Sequence, residues 1–80
     1  MRIAVRFYAS VREAVGVQGR EFELVKGSRM EDLLMMLERM YPGMKTERRP
    51  LVAVNGSRIL LDRRLEDGDI VAIYPPVSGG

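Results

Sequence analysis

The sequence predicts an α+β fold in which a mixed sheet of about five strands packs against one main helix and one short helix. Two patterns lead to this prediction. In several short segments every second residue is apolar, as in strands with one buried face, whereas one longer segment repeats its apolar residues every three or four positions, as amphipathic helices do. With 80 residues, 46% of them hydrophobic, the chain has room for a single core and therefore for one domain.

The first third of the chain predicts a strand, a short helix and a second strand. RIAVRFY at 2–8 alternates apolar and polar residues and predicts the first strand. ASVREAVG follows, in which Ser10 and Glu13 have the spacing of a capping box and Gly16 is a typical helix stop. REFELV at 20–25 alternates again and predicts the second strand.

The segment KGSRMEDLLMMLERMYPG predicts the main helix. Ser28 and Glu31 form another capping-box pattern at its start, and Pro42 with Gly43 ends it. The predicted apolar stripe comprises Met30, Leu33, Leu34, Leu37, Met40 and Tyr41. We interpret the methionines of this segment as flexible core filling; a promiscuous binding face is the alternative.

The second half of the chain predicts three strands. A polar loop at 44–50 precedes LVAVNGSRILL, which predicts two short strands joined by a turn at Asn55-Gly56. After a connection with a second turn signal at Asp67-Gly68, IVAIY predicts the last strand. The first and last strands both have the pattern of well-packed strands, so we expect them to form a central parallel pair, as in a β-grasp sheet.

Composition and charge exclude several classes of function. The net charge is only +2 and both signs are interspersed along the chain, which indicates a solvated surface and no nucleic-acid partner. Without cysteine or histidine there are no disulfides, no thiol nucleophile, no zinc site of the usual kind and no histidine acid–base catalyst. Apolar runs are too short to span a membrane. We therefore expect a cytoplasmic protein with no metal site and no membrane partner.

The chain ends in PPVSGG, which predicts a domain at 1–76 and a flexible tail at 77–80. Pro75 and Pro76 cannot donate ladder hydrogen bonds, so they end the last strand and favour a stiff exit. Four extended residues reach about 13–14 Å. Because the final Gly-Gly pair has no Cβ atoms, the tip of this tail is thin enough for a narrow pocket.

The carboxylate of Gly80 is the chemical group that this tail presents. A terminal carboxyl group ordinarily has a pKa of about 3.3–3.7, so at neutral pH it is an anion and a poor electrophile. It must be activated, for example as an acyl-adenylate, by a partner that holds ATP, because the chain has no glycine-rich phosphate-binding loop. The alternative is that the terminal Gly-Gly pair is fortuitous.

Three stretches of this sequence, FYASVREAVG, LVAVNG and LEDGDIVAIYPPVSGG, resemble the ubiquitin-like sulfur carrier family. The chain is most similar to the small, MoaD-like subunit of molybdopterin synthase, and the resemblance covers essentially all 80 residues. It implies a β-grasp, ubiquitin-like fold. It also implies that an adenylyltransferase resembling ubiquitin-activating enzymes uses ATP to adenylate Gly80, and that a sulfur donor protein then converts the carboxylate to a thiocarboxylate.

The resemblance further implies a place for this chain in cofactor synthesis. The charged carrier would dock on the large subunit of molybdopterin synthase, in a probable assembly of two small and two large subunits, and donate sulfur to a pterin precursor bound there. The finished cofactor would hold molybdenum or tungsten. Gly80 would be the acyl carrier, Gly79 the slim neck, and Val77 and Ser78 tail contacts. The chain itself would bind no cofactor and would be a non-catalytic subunit.

By the same resemblance, Tyr8, Arg58 and Tyr74 fall on the docking surface for the large subunit. The alternation within the strands independently places Tyr8 and Tyr74 on the outer face of the sheet, together with Ala4, Ile70 and Ala72. Arg58 departs from the family, which often has an apolar residue at that position.

Three other functions remain open at the level of sequence. The chain has the ending of ubiquitin-like modifiers, which are conjugated through the terminal glycine, here Gly80, to lysines of target proteins. Sulfur carriers for thiamine or cysteine synthesis share that ending as well. A plain interaction module with an idle tail is the third alternative.

Overall fold

The computed structural model describes residues 1–76, so the predicted tail at 77–80 lies outside the described residues and the domain boundary stays a prediction. The strands and helices follow one another as β1 Arg2–Phe7, α1 Ala9–Val15, β2 Gly19–Glu23, α2 Met30–Met40, a 3₁₀ turn Pro42–Met44, β3 Leu51–Val54, β4 Ser57–Arg58 and β5 Ile70–Tyr74. The five strands form one sheet in the order β2-β1-β5-β3-β4. The predicted α+β architecture is confirmed.

The two central strands, β1 and β5, run parallel, as their packing pattern predicts. Their register pairs Ala4 with Ile70 and Phe7 with Ile73, while β2 pairs antiparallel with the other edge of β1 and β3 with the other edge of β5. Parallel neighbours need a long crossover connection, and here the whole chain between β1 and β5 supplies it. The first and last strands of the chain therefore lie side by side in the middle of the sheet.

The core lies between α2 and one face of the sheet. It is formed by the inward-facing residues of the strands and by one apolar stripe of the helix. Every second residue of a strand, and residues three or four apart in a helix, point to the same side. The buried apolar side chains are Ile3, Val5, Phe7, Val11, Phe22, Met30, Leu33, Leu34, Leu37, Met44, Val52, Val54, Leu65, Val71 and Ile73. Since α2 covers only one face, the other face of the sheet is left open.

The predicted turn between β3 and β4 forms at Asn55 and Gly56. Both residues have positive φ, 50° and 85°, which is the geometry of a type I′ turn between two antiparallel strands. Asparagine tolerates this region better than most residues and glycine meets no steric penalty there. The hairpin holds β4, only two residues long, at the edge of the sheet.

Both predicted capping boxes are wrong in detail. Helix α1 has Tyr8 as its N-cap, so Ser10 is already inside the helix and cannot cap it with Glu13. Helix α2 begins one residue later than predicted: the Arg29 N–H donates to Asp32 Oδ2 at 2.8 Å, whereas Ser28 Oγ donates to the Val25 carbonyl. The predicted helix stop at Gly16 is confirmed, with φ of 90°.

The start of α2 is determined by a distant segment of the chain. The N–H of Met30 donates to the carbonyl of Arg63 at 2.9 Å, and that of Glu31 to the carbonyl of Leu61 at 2.8 Å. Amide groups at a helix N-terminus have no partner within the helix, and here the loop that precedes β5 provides two. The local sequence contains no signal for these bonds.

The methionines only partly fill the core. Met30 and Met44 are buried, but Met35 and Met40 are 55% and 40% exposed, so the apolar stripe predicted to include Met40 ends earlier. Met44 was expected in a polar loop, and the 3₁₀ turn Pro42–Met44 instead folds it against the core. Tyr41 at the end of the stripe is half-buried and packs edge-on against Phe7, with ring centroids 6.0 Å apart.

Candidate docking surface

The open side of the sheet, here named the outer sheet face, carries every second residue of the central strands. Its members share one orientation, away from α2, because their sequence neighbours point into the core. They are Arg2, Ala4, Arg6, Tyr8, Leu51, Ala53, Arg58, Ile70, Ala72 and Tyr74, and Glu21 and Glu23 of β2 lie on the same side, opposite Ala4 and Arg2. The apolar members lie mainly on β5 and its two neighbours, which makes the middle of this face apolar.

Tyr8 and Tyr74 stack against each other on this face. Their ring centroids are 4.7 Å apart, their planes differ by 10°, and the two residues are 37% and 39% exposed. Tyr8 remains extended after β1, with φ −124° and ψ 150°, and its N–H donates to the Ile73 carbonyl at 3.1 Å. This bond continues the β1–β5 pairing by one residue and so brings Tyr8 beside Tyr74.

The start of β5 is held in place by Asp69, the one buried charged residue among those described. Its carboxylate accepts hydrogen bonds from Asn55 Nδ2 at 3.1 Å and from the Glu66 N–H at 2.8 Å, and its carbonyl accepts one from the Ala4 N–H at 3.0 Å. A buried carboxylate needs such donors to offset its desolvation. Asp69 therefore ties β5 to both β1 and the β3–β4 turn.

A second pair of bonds fixes the same end of the sheet. The Arg2 N–H donates to Asp67 Oδ1 at 2.7 Å, and the Gly68 N–H donates to the Arg2 carbonyl at 2.9 Å. The Asp67-Gly68 signal predicted only a turn, and the role of these residues in positioning β5 beside β1 was missed. The sequence signal is the DGD stretch, in which two short acidic residues flank a glycine with φ of 87°.

The structure brings two of the three predicted docking residues into contact and sets the third apart. Arg58 is exposed and pairs with Ala53 at the edge of the outer sheet face, whereas Tyr74 pairs with Leu51, two residues away along β3. Further members of this face, among them Arg6, Leu51 and Ala53, were not predicted as site residues. Alternation within β1 is enough to place Arg6 on the outer face. Placing Leu51 and Ala53 there also requires knowing that β3 pairs with β5.

The remaining predicted site residues, Val77, Ser78, Gly79 and Gly80, lie outside the described residues. The described chain ends at Pro75 and Pro76, directly after the stacked tyrosine on β5. The terminal residues therefore follow in sequence from the central strand of the outer sheet face.

Two other kinds of site are absent from residues 1–76. No three side chains of the types His, Cys, Asp and Glu come close enough together in this range to hold a metal ion. None of the helices formed by these residues has the length and apolarity needed to cross a membrane.

Comparison with known proteins gives one family match and full-length relatives. The model of the ThiS family matches residues 5–80. A molybdopterin synthase sulfur carrier subunit from Chlamydomonas reinhardtii is 39% identical over 83 residues, and the alignment covers 100% of both chains. Small archaeal modifier protein 3 from Haloferax volcanii is 33% identical over 92 residues, again with 100% of both chains covered.

Two solved structures are similar over nearly the whole chain. A Pyrococcus furiosus protein named as a putative molybdopterin converting factor, subunit 1, has a TM-score of 0.87 at 30% identity and covers 96% of this chain and 99% of its own. The second comes from a complex of subunits 1 and 2 of molybdopterin-converting factor from Helicobacter pylori. Its TM-score is 0.71 at 27% identity, with 100% of both chains covered.

Proposed function

The chain belongs to the ThiS family, and on that premise we propose that it is the sulfur carrier subunit of a molybdopterin synthase, serving molybdenum or tungsten cofactor synthesis. The observation that carries the proposal is the extent of the family match, which runs to residue 80 and so includes the Gly79-Gly80 pair. Relatives that align with this chain over 99% or more of their own length bear the name of that subunit.

The chemistry takes place at the carboxylate of Gly80. As an anion, this group is a poor electrophile. When one of its oxygens attacks the α-phosphorus of ATP and pyrophosphate leaves, an acyl-adenylate forms, in which AMP is a good leaving group. Hydrosulfide supplied by a donor protein then attacks the carbonyl carbon, its proton is lost, AMP departs with the C–O bond that breaks, and a thiocarboxylate remains. The ATP-binding groups belong to an adenylyltransferase resembling ubiquitin-activating enzymes, and the pterin precursor is bound by the large subunit.

The rest of the chain serves to dock and aim this terminus. The outer sheet face offers an exposed stacked tyrosine pair beside small apolar residues, a composition that is enriched in protein interfaces. We assign this face to the contact with the large subunit, with Tyr8 and Tyr74 near its centre and Arg58 at its edge. A complex between the two kinds of subunit is known for the Helicobacter pylori relative.

A second function is favoured by a specific relative. The similarity to small archaeal modifier protein 3 also extends over the full chain. In that alternative, the activated Gly80 carbonyl is attacked by a lysine amine of a target protein, and an isopeptide bond forms in place of the thiocarboxylate.

The test of the carrier function is the intact mass of the chain after reaction. The protein is incubated with the adenylyltransferase from its own genome, Mg-ATP and sulfide. We expect its mass to rise by the difference between one sulfur and one oxygen atom, and fragmentation to place the change at Gly80. A chain lacking Gly80 and a chain extended by one alanine serve as matched controls and should keep their masses.

Two outcomes would contradict the carrier function. One is an unchanged mass in the complete mixture. The other is recovery of the protein from its native cells only as isopeptide conjugates through Gly80, which would establish the modifier function instead.

A further inference from the structure

Arg6 and Arg58 lie at the two ends of one row that crosses the outer sheet face. The strand register pairs Arg6 with Ala72, Ala72 with Ala53, and Ala53 with Arg58. Three strand spacings of about 4.8 Å separate the two arginines, so their Cα atoms are about 14 Å apart. Between them the row contains only two alanines, so a covering protein can approach the sheet closely there.

Neither arginine has an acidic partner among residues 1–76. The ion pairs at this side of the sheet involve Arg2, which lies 4.0 Å from Glu21 and 3.3 Å from Glu23, and the N-terminal amine, which lies 3.9 Å from Glu23. Glu21, on the strand next to Arg6, thus has its ion-pair contact with Arg2. The positive charges of Arg6 and Arg58 are left to solvent in the described part of the chain.

Two other arginines, Arg20 and Arg29, contact groups within the domain. Arg20 donates to the Tyr41 hydroxyl at 3.0 Å and lies over the Phe22 ring, 5.3 Å from its centroid. Arg29 Nη1 donates to the Asp62 carbonyl at 3.5 Å. Such contacts explain why those arginines are present, but they give no reason for Arg6 and Arg58.

Covering this face changes the electrostatic situation of both arginines. A protein that packs on Ala72 and Ala53 removes water from the two guanidinium groups, and desolvating a charge is unfavourable unless an opposite charge replaces the water. Arginine is suited to this because its planar guanidinium can bind a carboxylate through two parallel hydrogen bonds. Its aliphatic stem meanwhile extends the apolar surface.

We propose that the large subunit which docks on the outer sheet face presents a carboxylate to each of these arginines, one on either side of the apolar centre. This pairing would favour partners with acidic groups at these two positions over partners without them. The inference rests on the proposed function, because that function supplies the partner. A second copy of this chain fits worse, since two such faces would bring four arginines together while Glu21 and Glu23, the acidic residues on this face, already contact Arg2.

The test is charge reversal at each end of the row. Arg6→Glu and Arg58→Glu are titrated against the large subunit from the same genome by calorimetry at low and high salt. We expect each to weaken binding roughly ten- to a hundredfold, because like charges then face each other. Wild-type affinity should fall with added salt, and each variant should show a weaker salt dependence.

Two further sets of variants separate pairing from general effects of charge. Arg39→Glu makes the same charge change on α2, on the other side of the sheet, and should alter affinity less than about twofold. Arg6→Leu and Arg58→Leu keep an apolar stem without the charge and should each lose about tenfold. Circular dichroism on every variant verifies that the fold is retained.

The outcomes distinguish this inference from the function on which it rests. If both leucine variants bind as tightly as the wild type or more tightly, no carboxylate faces the arginines and the inference is wrong, although docking through the tyrosines stands. If the wild-type chain does not bind the large subunit, or associates with itself through this face instead, both the docking role and the inference are wrong.

Discussion

At the scale of single residues, the backbone positions the stacked tyrosines at the proposed docking surface. Tyr8 is both the last extended residue after β1 and the N-cap of α1. Its N–H donates to the Ile73 carbonyl, and its carbonyl accepts hydrogen bonds from the first turn of α1. Tyr74 occupies the corresponding place at the end of β5, and the two rings restrict each other's movement by stacking. A rigid, exposed aromatic surface loses little conformational entropy on binding, which is why such residues often dominate interfaces.

The residue-scale prediction concerns Tyr74→Asp. We expect this change to weaken docking on the large subunit by about 2 kcal/mol, because it removes the ring and places an unpaired charge in the contact. Stability should fall by less, about 0.5–1.5 kcal/mol for the lost stacking. Calorimetric titration measures the first effect and thermal unfolding the second.

Its control is Met35→Asp, which introduces the same charge at an exposed residue of α2, on the other side of the sheet. Tyr74→Phe keeps the ring and should retain most of the affinity. Equal affinities for Tyr74→Asp and Met35→Asp would remove Tyr74 from the docking surface.

At the scale of secondary structure, α2 shows that the type of an element and its boundaries have different origins. Its apolar period and its acidic first turn are local and predict a helix. Its first residue, however, depends on the N–H groups of Met30 and Glu31, which donate hydrogen bonds to carbonyls in the loop before β5. As a result, the N-cap is Arg29 and not the predicted Ser28. The side chain that completes the N-terminus is accordingly Asp32.

The element-scale prediction is that Asp32→Ala destabilises the protein by about 1 kcal/mol, the usual cost of losing a capping carboxylate that accepts a backbone N–H near a helix N-terminus. The matched control is Glu31→Ala, which removes a charge from the same turn but no hydrogen bond to the helix start, and should cost a few tenths of a kcal/mol. Urea unfolding measures both. Equal losses would show that the Arg29–Asp32 bond contributes nothing.

At the scale of the whole molecule, the sheet separates the core from the proposed docking surface. Its inner face and α2 form the core, while its outer face holds the tyrosines and the arginine row. A domain of this length is stable by only about 4–12 kcal/mol, using 0.05–0.15 kcal/mol per residue, so it has little stability to spare. Changes to the inner face should therefore affect folding, and changes to the outer face should affect binding.

This separation predicts that Leu37→Ala lowers the free energy of unfolding by about 2–5 kcal/mol, since it opens a cavity under a fully buried side chain. Met35→Ala, on the exposed side of the same helix, should change it by about 0.5 kcal/mol or less. Urea unfolding provides the comparison. At temperatures where Leu37→Ala is still folded, its affinity for the large subunit should match the wild type, and a large loss of affinity there would contradict the separation.

The outer sheet face was partly predictable from sequence. Alternation within β1 and β5 is local, and this alternation is enough to place Tyr8 and Tyr74 on one face. The stacking of the two rings and the row from Arg6 to Arg58 depend on register between strands that are far apart in the chain. The bonds of Asp69 and Asp67 set that register, and no periodicity reveals them.

The sequence by itself determined the α+β class, the central parallel pair, the Asn55-Gly56 turn and the inner and outer residues of most strands, because period, turn chemistry and breakers act over a few neighbours. Only the tertiary structure decided the first residue of α2, the burial of Met44, the exposure of Met40 and the alignment of the two arginines. Each of these depends on hydrogen bonds or packing between segments separated along the chain. Such contacts are chosen by the free energy of the whole fold, in which a distant carbonyl or an available space in the core outweighs the local preference.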